Sequence, residues 1–343
     1  MVDVSELKDR DDFPAWNQFV TGHPEGTFFH LAGWKDVIEQ SFGHRTFYLF
    51  TRSGGQLTGV LPLAEIRSRL FGNKLISLPF CVYGGPVAAD PDVRQALVSH
   101  ASALAGRLEV DYLELRNQQA VPDLQATDRY VTFRRELDQD PERNMSAIPR
   151  KQRAMIRKGT AKGLAPQFEV GVDEFFSAYA ESLRNLGTPV LPLRYFATLK
   201  EVFGDKCEIM AVRREKAGPA LAAVMSFYFR DEVLPYYGGG TRLAREYHAY
   251  DFMYWELLVH ALSRGVRIFD FGRSRQGSGS YRFKTHWGFE PRTLPYQYDL
   301  VRASALPNVT PDNPRYQGLI RLWQRLPLPV TTVVGPLLAK NLG

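Results

Sequence analysis

The 343-residue chain has little of what would staple, anchor or metallate it. Only Cys81 and Cys207 are present, far apart and without a CxxC pair, so neither a disulfide framework nor a zinc site is expected and both cysteines read as buried packing residues. No apolar run reaches the roughly 18 residues that a membrane span needs. The first residues, MVDVSELKDRDDF, offer neither a basic n-region nor an apolar h-region, so a cytoplasmic protein is expected. GxSxG, HExxH and GxxxxGK[ST] are all missing, which sets aside the nucleophile elbow, the zincin helix and the P-loop. His44, in SFGH, and His286, in KTHWG, have no partner at metal spacing and read as structural. No bound metal and no bound cofactor are expected.

What is present is an ordinary globular composition, 44% hydrophobic and 23% charged, on a chain long enough for two domains. The formal net charge of +6 is localised. Between Arg143 and Lys162 stand Arg143, Arg150, Lys151, Arg153, Arg157, Lys158 and Lys162 with no acid, so the rest of the chain is close to neutral. A patch of this kind points to an anionic partner: a phosphate group, a nucleic acid or an anionic membrane surface.

The two halves repeat one order of segments. The first has a strand-like run at Phe47 to Phe50, then GGQLTGVLPLAEI, YGGP at Tyr83 to Pro86, the helical VRQALVSHASALAGR and the strand-like YLELR from Tyr112. The second has CEIMAV, GPALAAVMSFYF, YYGGG at Tyr236 to Gly240, the helical FMYWELLVHALSRG and IFDFG from Ile268. About 30 residues separate each Tyr-Gly-Gly element from the strand after its helix, the length of a crossover between parallel strands. One duplicated α/β unit accounts for both halves.

The expected division is a first domain over 1–140, a second over 141–305 and a tail over 306–343, with the polar ELDQDPERN, Glu136 to Asn144, as the junction. The segment 148–163 reads as a basic entry helix, with Pro149 at its start and Gly163 as its stop. On it Arg150, Arg153 and Arg157 share a face by i, i+3, i+7 spacing, which suits either a solvated charged face or phosphate binding. The tail has prolines at 307, 311, 314, 327, 329 and 336 around LPLPVTTVVGPLLAKNLG; it is too broken to span a membrane and is expected to pack back on a domain. Arg321, Trp323, Arg325 and Lys340 flank its apolar part and leave peripheral membrane contact open.

The densest chemistry lies in FDFGRSRQGSGSYRFKTHWGF, Phe269 to Phe289. Arg273, Arg275, Arg282 and Lys284 stand there without an acid between Asp270 and Glu290, beside Gly272, Gly277 and Gly279. Glycines admit close backbone approach and the cations could meet an anion or an oxyanion; a basic surface hairpin is the plainer alternative. With no nucleophile and no metal motif, an amine acyltransferase fits, because its substrates bring both reacting groups and the protein aligns them, stabilises the oxyanion and takes a proton. Asp270 is a candidate for that proton.

In order along the chain, FFHLAGWKDVI, the basic helix, LRYF at Leu193 to Phe196, YYGGG, IFDFGR and YRFKTHWGF together resemble the Fem family of non-ribosomal peptidyl transferases, which belongs with GNAT-like acyltransferases. RSRLFGNKLISLPFCVYGGP with the Pro-rich tail is similar to the branch associated with exosortase and exopolysaccharide loci. The resemblance implies an α/β (α+β) fold of tandem GNAT-like domains, each a mixed, partly parallel central sheet flanked by helices. It implies an aminoacyl-tRNA donor and an amine acceptor on an envelope or glycan precursor. Phe283-Lys284 matches the family's late Phe-Lys, so Lys284 would meet the tRNA end and the developing charge, with Arg273 beside it. Tyr237 and Tyr195 match the family's acceptor groove, and Tyr281 and Phe283 would contact substrate. Ile38 and Leu191 stand where the peptidoglycan enzymes hold a diphosphate with basic residues.

The implied activity is therefore amide formation by an aminoacyl- or acyl-transferase, with tRNA as a partner, no DNA, and a cytoplasmic site at or near the inner face of the membrane. The CoA-binding [RQ]xxGx[GA] loop is lacking; TRLAREYHAYD stands in its place. Two alternatives remain open: an N-acyltransferase using acyl-CoA or acyl carrier protein, and a non-catalytic glycan- or lipid-binding component of exopolysaccharide assembly.

Overall fold

The computed structural model describes residues 2–122, 124–215, 218–307 and 314–343, so Pro311 of the tail lies outside the described residues. The chain divides into two compact units. Unit 1 takes the described residues of Met1–Tyr130, Thr293–Asn308 and Lys340–Gly343. Along it run β1 (Val4–Glu6), α1 (Phe13–Gly22), α2 (Gly33–Phe42), β2 (Arg45–Ser53), β3 (Gln56–Ser68), β4 (Gly72–Ile76), β5 (Val87–Ala88), α3 (Pro91–Arg107) and β6 (Tyr112–Arg116). Next comes β7 (Gln125–Glu136), which crosses the boundary between the units.

Unit 2 takes Val131–Arg292 and the described part of Val309–Ala339. It contains α4 (Pro141–Ala147), α5 (Arg150–Ala161), β8 (Ala165–Phe168), α6 (Val172–Leu186), α7 (Leu193–Phe203), β9 (Cys207–Arg213), β10 (Ala222–Phe229) and β11 (Glu232–Gly240). α8 (Ala249–Ser263), β12 (Ile268–Asp270), β13 (Ser274–Arg275) and α9 (Gly279–His286) follow. β14 (Pro291–Leu300) again crosses the boundary, and α10 (Pro314–Arg325) and α11 (Leu328–Ala339) end the helical tail. Among the described residues no helix is long and apolar enough to cross a membrane.

Both sheets are mixed and repeat one pattern. In unit 1, β2, β3 and β4 pair antiparallel, β4 pairs parallel with β6 over Lys74↔Tyr112 to Ile76↔Glu114, and β14 lies antiparallel on β6. In unit 2, β9, β10 and β11 pair antiparallel, and β11 runs parallel to β12 only at Glu232↔Ile268 and Val233↔Phe269. β7 closes that sheet antiparallel on β12. A crossover helix, α3 or α8, makes each parallel step possible. β10, AAVMSFYF, is buried at every position, as a strand covered on both faces must be, and its apolar run shows no alternation.

The border strands correct the expected division. β14 follows β12 in the chain yet borders β6 in unit 1; β7 follows β6 yet borders β12 in unit 2. The boundary therefore falls inside these strands, after Tyr130 and after Arg292, rather than in the polar stretch at 136–144, and Thr293 to residue 305 groups with unit 1. A polar composition marks solvent exposure, and here it marks only the turn into α4, where the Asp140 side chain caps the helix by accepting from the Glu142 amide. In the tail, α10 and α11 belong to unit 2, while the last residues pack in unit 1. There the Lys340 carbonyl bonds His44 Nε2 at 2.8 Å, and the Leu342 carbonyl accepts from Lys74 Nζ at 2.8 Å.

Candidate functional site

β11 and β12 share only two register pairs before β11 continues to Gly240 paired with β10 alone, so the sheet opens between β11 and β12. Asp270, the last residue of β12, is fully buried. Its carboxylate accepts from Thr132 Oγ1 at 3.1 Å and from the Gly272 amide at 2.7 Å, an Asx turn that takes the chain out of the strand. Gly272 sits at φ +66°, where a side chain would be strained.

The segment from Gly279 to His286 is a helix, which removes the alternative of a basic surface hairpin there. Ser278 caps α9 by accepting from the Tyr281 amide at 3.2 Å, Gly277 at φ +72° turns the chain into it, and Gly288 at φ +79° ends it with Phe289 N–H bonded to the Lys284 carbonyl at 3.2 Å. The glycines that read as hairpin turns are helix-terminal residues, a distinction that glycine spacing does not carry.

α9 delivers Lys284 to the turn. Its buried Nζ donates to the Gly272 carbonyl at 2.9 Å and to the Arg273 carbonyl at 3.1 Å, and lies 5.6 Å from the centre of the Phe133 ring. Burial brings its pKa down to about 7, against an opposing pull from the Asp270 carboxylate and with a further push from Arg273. An ammonium has three N–H bonds, and two are committed to these carbonyls. Lys284, Asp270 and Arg273 are thus brought to one place.

Three further residues there were not singled out from sequence. Glu232, at the start of β11, is hydrogen-bonded to Asp270 and gripped by Arg134, Nε at 3.2 Å and Nη2 at 3.0 Å. Burial and the neighbouring Asp270 raise the Glu232 pKa above the ordinary carboxyl range. Ser274 Oγ is buried without a hydrogen-bond partner among the described residues. The available signal was the strand period: Glu232 registers with Ile268, two residues from Asp270 and so on the same face.

The aromatic candidates divide. Tyr281 meets Phe133 edge-on at 5.5 Å, and Phe283 leans on Tyr254 at 5.5 Å, so both half-buried rings also fix α9 to the core. Tyr195 and Tyr237 are buried and share a hydroxyl hydrogen bond of 2.8 Å. Tyr236 continues from Tyr237, with ring centres 4.7 Å apart, towards Gly272, where an added Cβ would come within 3.8 Å of the Tyr236 ring. Ile38 and Leu191 are both buried apolar residues.

α5 packs on α8 through Ile156 and Gly159, where a Cβ would meet Phe252 Cβ at 2.9 Å, and leaves Arg150 and Arg157 exposed with Arg153 half-buried. At the first turn of α8, buried Asp251 accepts from Gln152 Nε2 at 2.8 Å and Trp287 Nε1 at 3.0 Å, joining α5, α8 and the end of α9. A carboxylate therefore occupies the helix N-terminus that could otherwise receive an anion.

Residues 150–285 match the acetyltransferase (GNAT) domain family. The match begins at the first residue of α5 and ends one residue after Lys284, so the matched segment contains the whole Asp270–Lys284 turn. No curated protein matches the chain in sequence. Among solved structures the fold is similar to FemX, with a TM-score of 0.66 at 13% identity, covering 93% of this chain and all of that one. It is also similar to a tandem GNAT protein from the clavulanic acid biosynthesis pathway, with a TM-score of 0.56 at 14% identity over 89% of this chain and all of that one. L-PGS from Bacillus licheniformis gives 0.56 at 14% identity over 94% of this chain and all of that one. At these identities the likeness is one of fold, and the fold is that of tandem GNAT proteins.

Proposed function

We propose that the protein is an amide-forming acyltransferase that moves an aminoacyl group from aminoacyl-tRNA to an amine on a cell-envelope or exopolysaccharide precursor. The observation that carries the reading is the buried Lys284 amine, held by two carbonyls at the opening between β11 and β12 inside the GNAT match. The acceptor amine attacks the ester carbonyl, a C–N bond forms, and the tetrahedral oxyanion draws the remaining N–H of Lys284. The C–O bond then breaks, and the proton lost by the amine ends on the departing ribose oxygen. Arg273 assists with the anionic donor end. Asp270 acts through Lys284 by fixing the turn whose carbonyls hold it, and is the candidate base for the amine proton.

The tRNA donor follows from the resemblance to the Fem family, and two features support it over CoA. The exposed Arg150 and Arg157 with Arg153 offer phosphate contacts on α5, and Asp251 holds the α8 N-terminus against a pyrophosphate. Tyr195, Tyr237, Tyr281 and Phe283 form the acceptor side. Ile38 and Leu191 leave no charge for a nucleotide diphosphate at those positions, which turns the reading from peptidoglycan precursors towards the exosortase-associated branch. Such an acceptor places the protein in the cytoplasm, against the inner face of the membrane.

The test is transfer from radiolabelled aminoacyl-tRNA into lipid-linked and glycan precursors, with and without ribonuclease. Ribonuclease-sensitive labelling that Lys284→Ala abolishes is expected. CoA release from acyl-CoA in place of that labelling would overturn the donor.

A further inference from the structure

α11 buries the wrong residues for a helix in water. α11 turns Thr331, Gly335 and Ala339 into unit 2, a stripe at i, i+4, i+8 of small residues. At Gly335 an added Cβ would stand 3.0 Å from the Val190 backbone nitrogen, so nothing larger fits without a shift. The opposite stripe carries the large residues: Val330, Val333, Val334 and Leu337, at i, i+3, i+4, i+7, are 41%, 71%, 38% and 62% exposed. α10 keeps large residues on both faces. Ile320 packs on Gly187, while Leu319 and Leu322 are 63% and 58% exposed.

The fixed charges of the two tail helices and the residues after them have one sign. From Pro314 to Gly343 there are Arg315, Arg321, Arg325 and Lys340 and no Asp or Glu. Arg325 lies one turn beyond Leu322, and both Arg321 and Arg325 are exposed.

We propose that the outward face of α10 and α11 docks the protein on an anionic phospholipid surface. A helix that hides small residues and presents branched aliphatic ones gains only against an apolar phase, and a rim of arginines without acids suits anionic headgroups. Neither helix crosses the bilayer; both lie in its interface. Charge favours lipid over a second copy of the chain, because an isologous pairing would bring the arginines of two α10 helices together with no acid in α10 or α11 to neutralise them. The inference sharpens the membrane-side placement proposed above, and its test reads binding alone, so it stands or falls apart from acyl transfer.

The experiment is sedimentation of the full-length protein with phosphatidylcholine vesicles, with and without phosphatidylglycerol, at low and high salt. Binding to the phosphatidylglycerol vesicles, weakened by salt, is expected. Val333→Asp with Val334→Asp should weaken it at least about tenfold. Arg321→Glu with Arg325→Glu should remove the preference for phosphatidylglycerol without touching the apolar stripe. Leu70→Asp, at a residue 79% exposed in unit 1, should change nothing, and thermal melts should match for all variants. No vesicle binding, or equal binding by both tail variants, overturns the proposal. So does a dimer in light scattering that Val333→Asp with Val334→Asp disperses, which would assign the face to a second copy.

Discussion

The ends of the two parallel strand pairs carry opposite designs. In unit 1 the opening beyond β4 and β6 is plugged. Arg116, buried at the end of β6, donates to the carbonyls of Cys81 at 2.7 Å and Leu78 at 3.3 Å and pairs with Glu114 at 2.8 Å. The YGGP loop is packed shut as well: a Cβ on Gly84 would meet the Ser77 carbonyl oxygen at 2.2 Å, and one on Gly85 would meet Asn117 Oδ1 at 2.1 Å. The Gly85 carbonyl accepts from His30 Nε2 at 2.9 Å; Nδ1 faces the Thr27 amide at 3.2 Å, which fixes the Nε2–H tautomer, and burial lowers the ring's pKa to about 4. In unit 2 the corresponding opening receives an amine from a separate helix, and that amine sits near its titration point at neutral pH. One copy of the duplicated unit spends its cation on structure, and the other keeps one in a chemically adjustable state.

Variants can break this contrast. The largest effect is expected in unit 1: Arg116→Met leaves Glu114 buried without its partner and should cost about 3–5 kcal/mol in a denaturant melt. Lys284→Ala should leave the melt close to wild type but lower kcat by about 10²–10³, the usual cost of removing one donor to an oxyanion. If both variants instead act on stability alone, the two openings are alike and the contrast fails.

A pH profile sharpens the difference. A protonated Lys284 serving the oxyanion should make the rate fall as pH rises through about 7, and Lys284→Arg, which stays charged, should flatten that limb. Stability moves the other way. The folded pKa of Lys284 lies below its ordinary value, so the unfolded chain binds more protons above about 7, and the contribution of Lys284 to stability grows as pH rises across that window. A rate that rises with pH, matched by Lys284→Arg, would assign the lysine a different part.

Gly239→Ala tests the second Tyr-Gly-Gly, where a Cβ would stand 2.8 Å from Tyr179 Cα; a loss of about 1–3 kcal/mol is expected in the melt. The smallest effect falls on α5. Arg150→Gln, Arg153→Gln and Arg157→Gln together should leave the fold intact and make tRNA binding less salt-dependent, with up to about three fewer counterions released in a filter-binding titration.

Segment order made the duplication legible, because each strand, crossover helix and parallel strand carries its own periodicity and the two series match. Pro149 and Gly163 marked α5 closely, since a proline at a first turn and a glycine at φ +75° act locally. The Asp270–Lys284 turn was legible as composition but not as form: a helix cap and a hairpin turn use the same serines and glycines. Glu232 and Arg134 were missed because their meeting depends on which strand borders β12, and that strand comes from more than 100 residues earlier. No local pattern encodes such a pairing.

That border arrangement also bears on how the chain matures during synthesis. The sheet of unit 1 lacks its last strand until β14 has left the ribosome, when most of the second sheet already exists, whereas β7 waits unpaired for β12. The first half cannot finish folding before the second is made, so β6 and the latter part of β7 stay open to wrong partners through much of translation, the interval in which a chaperone would be needed.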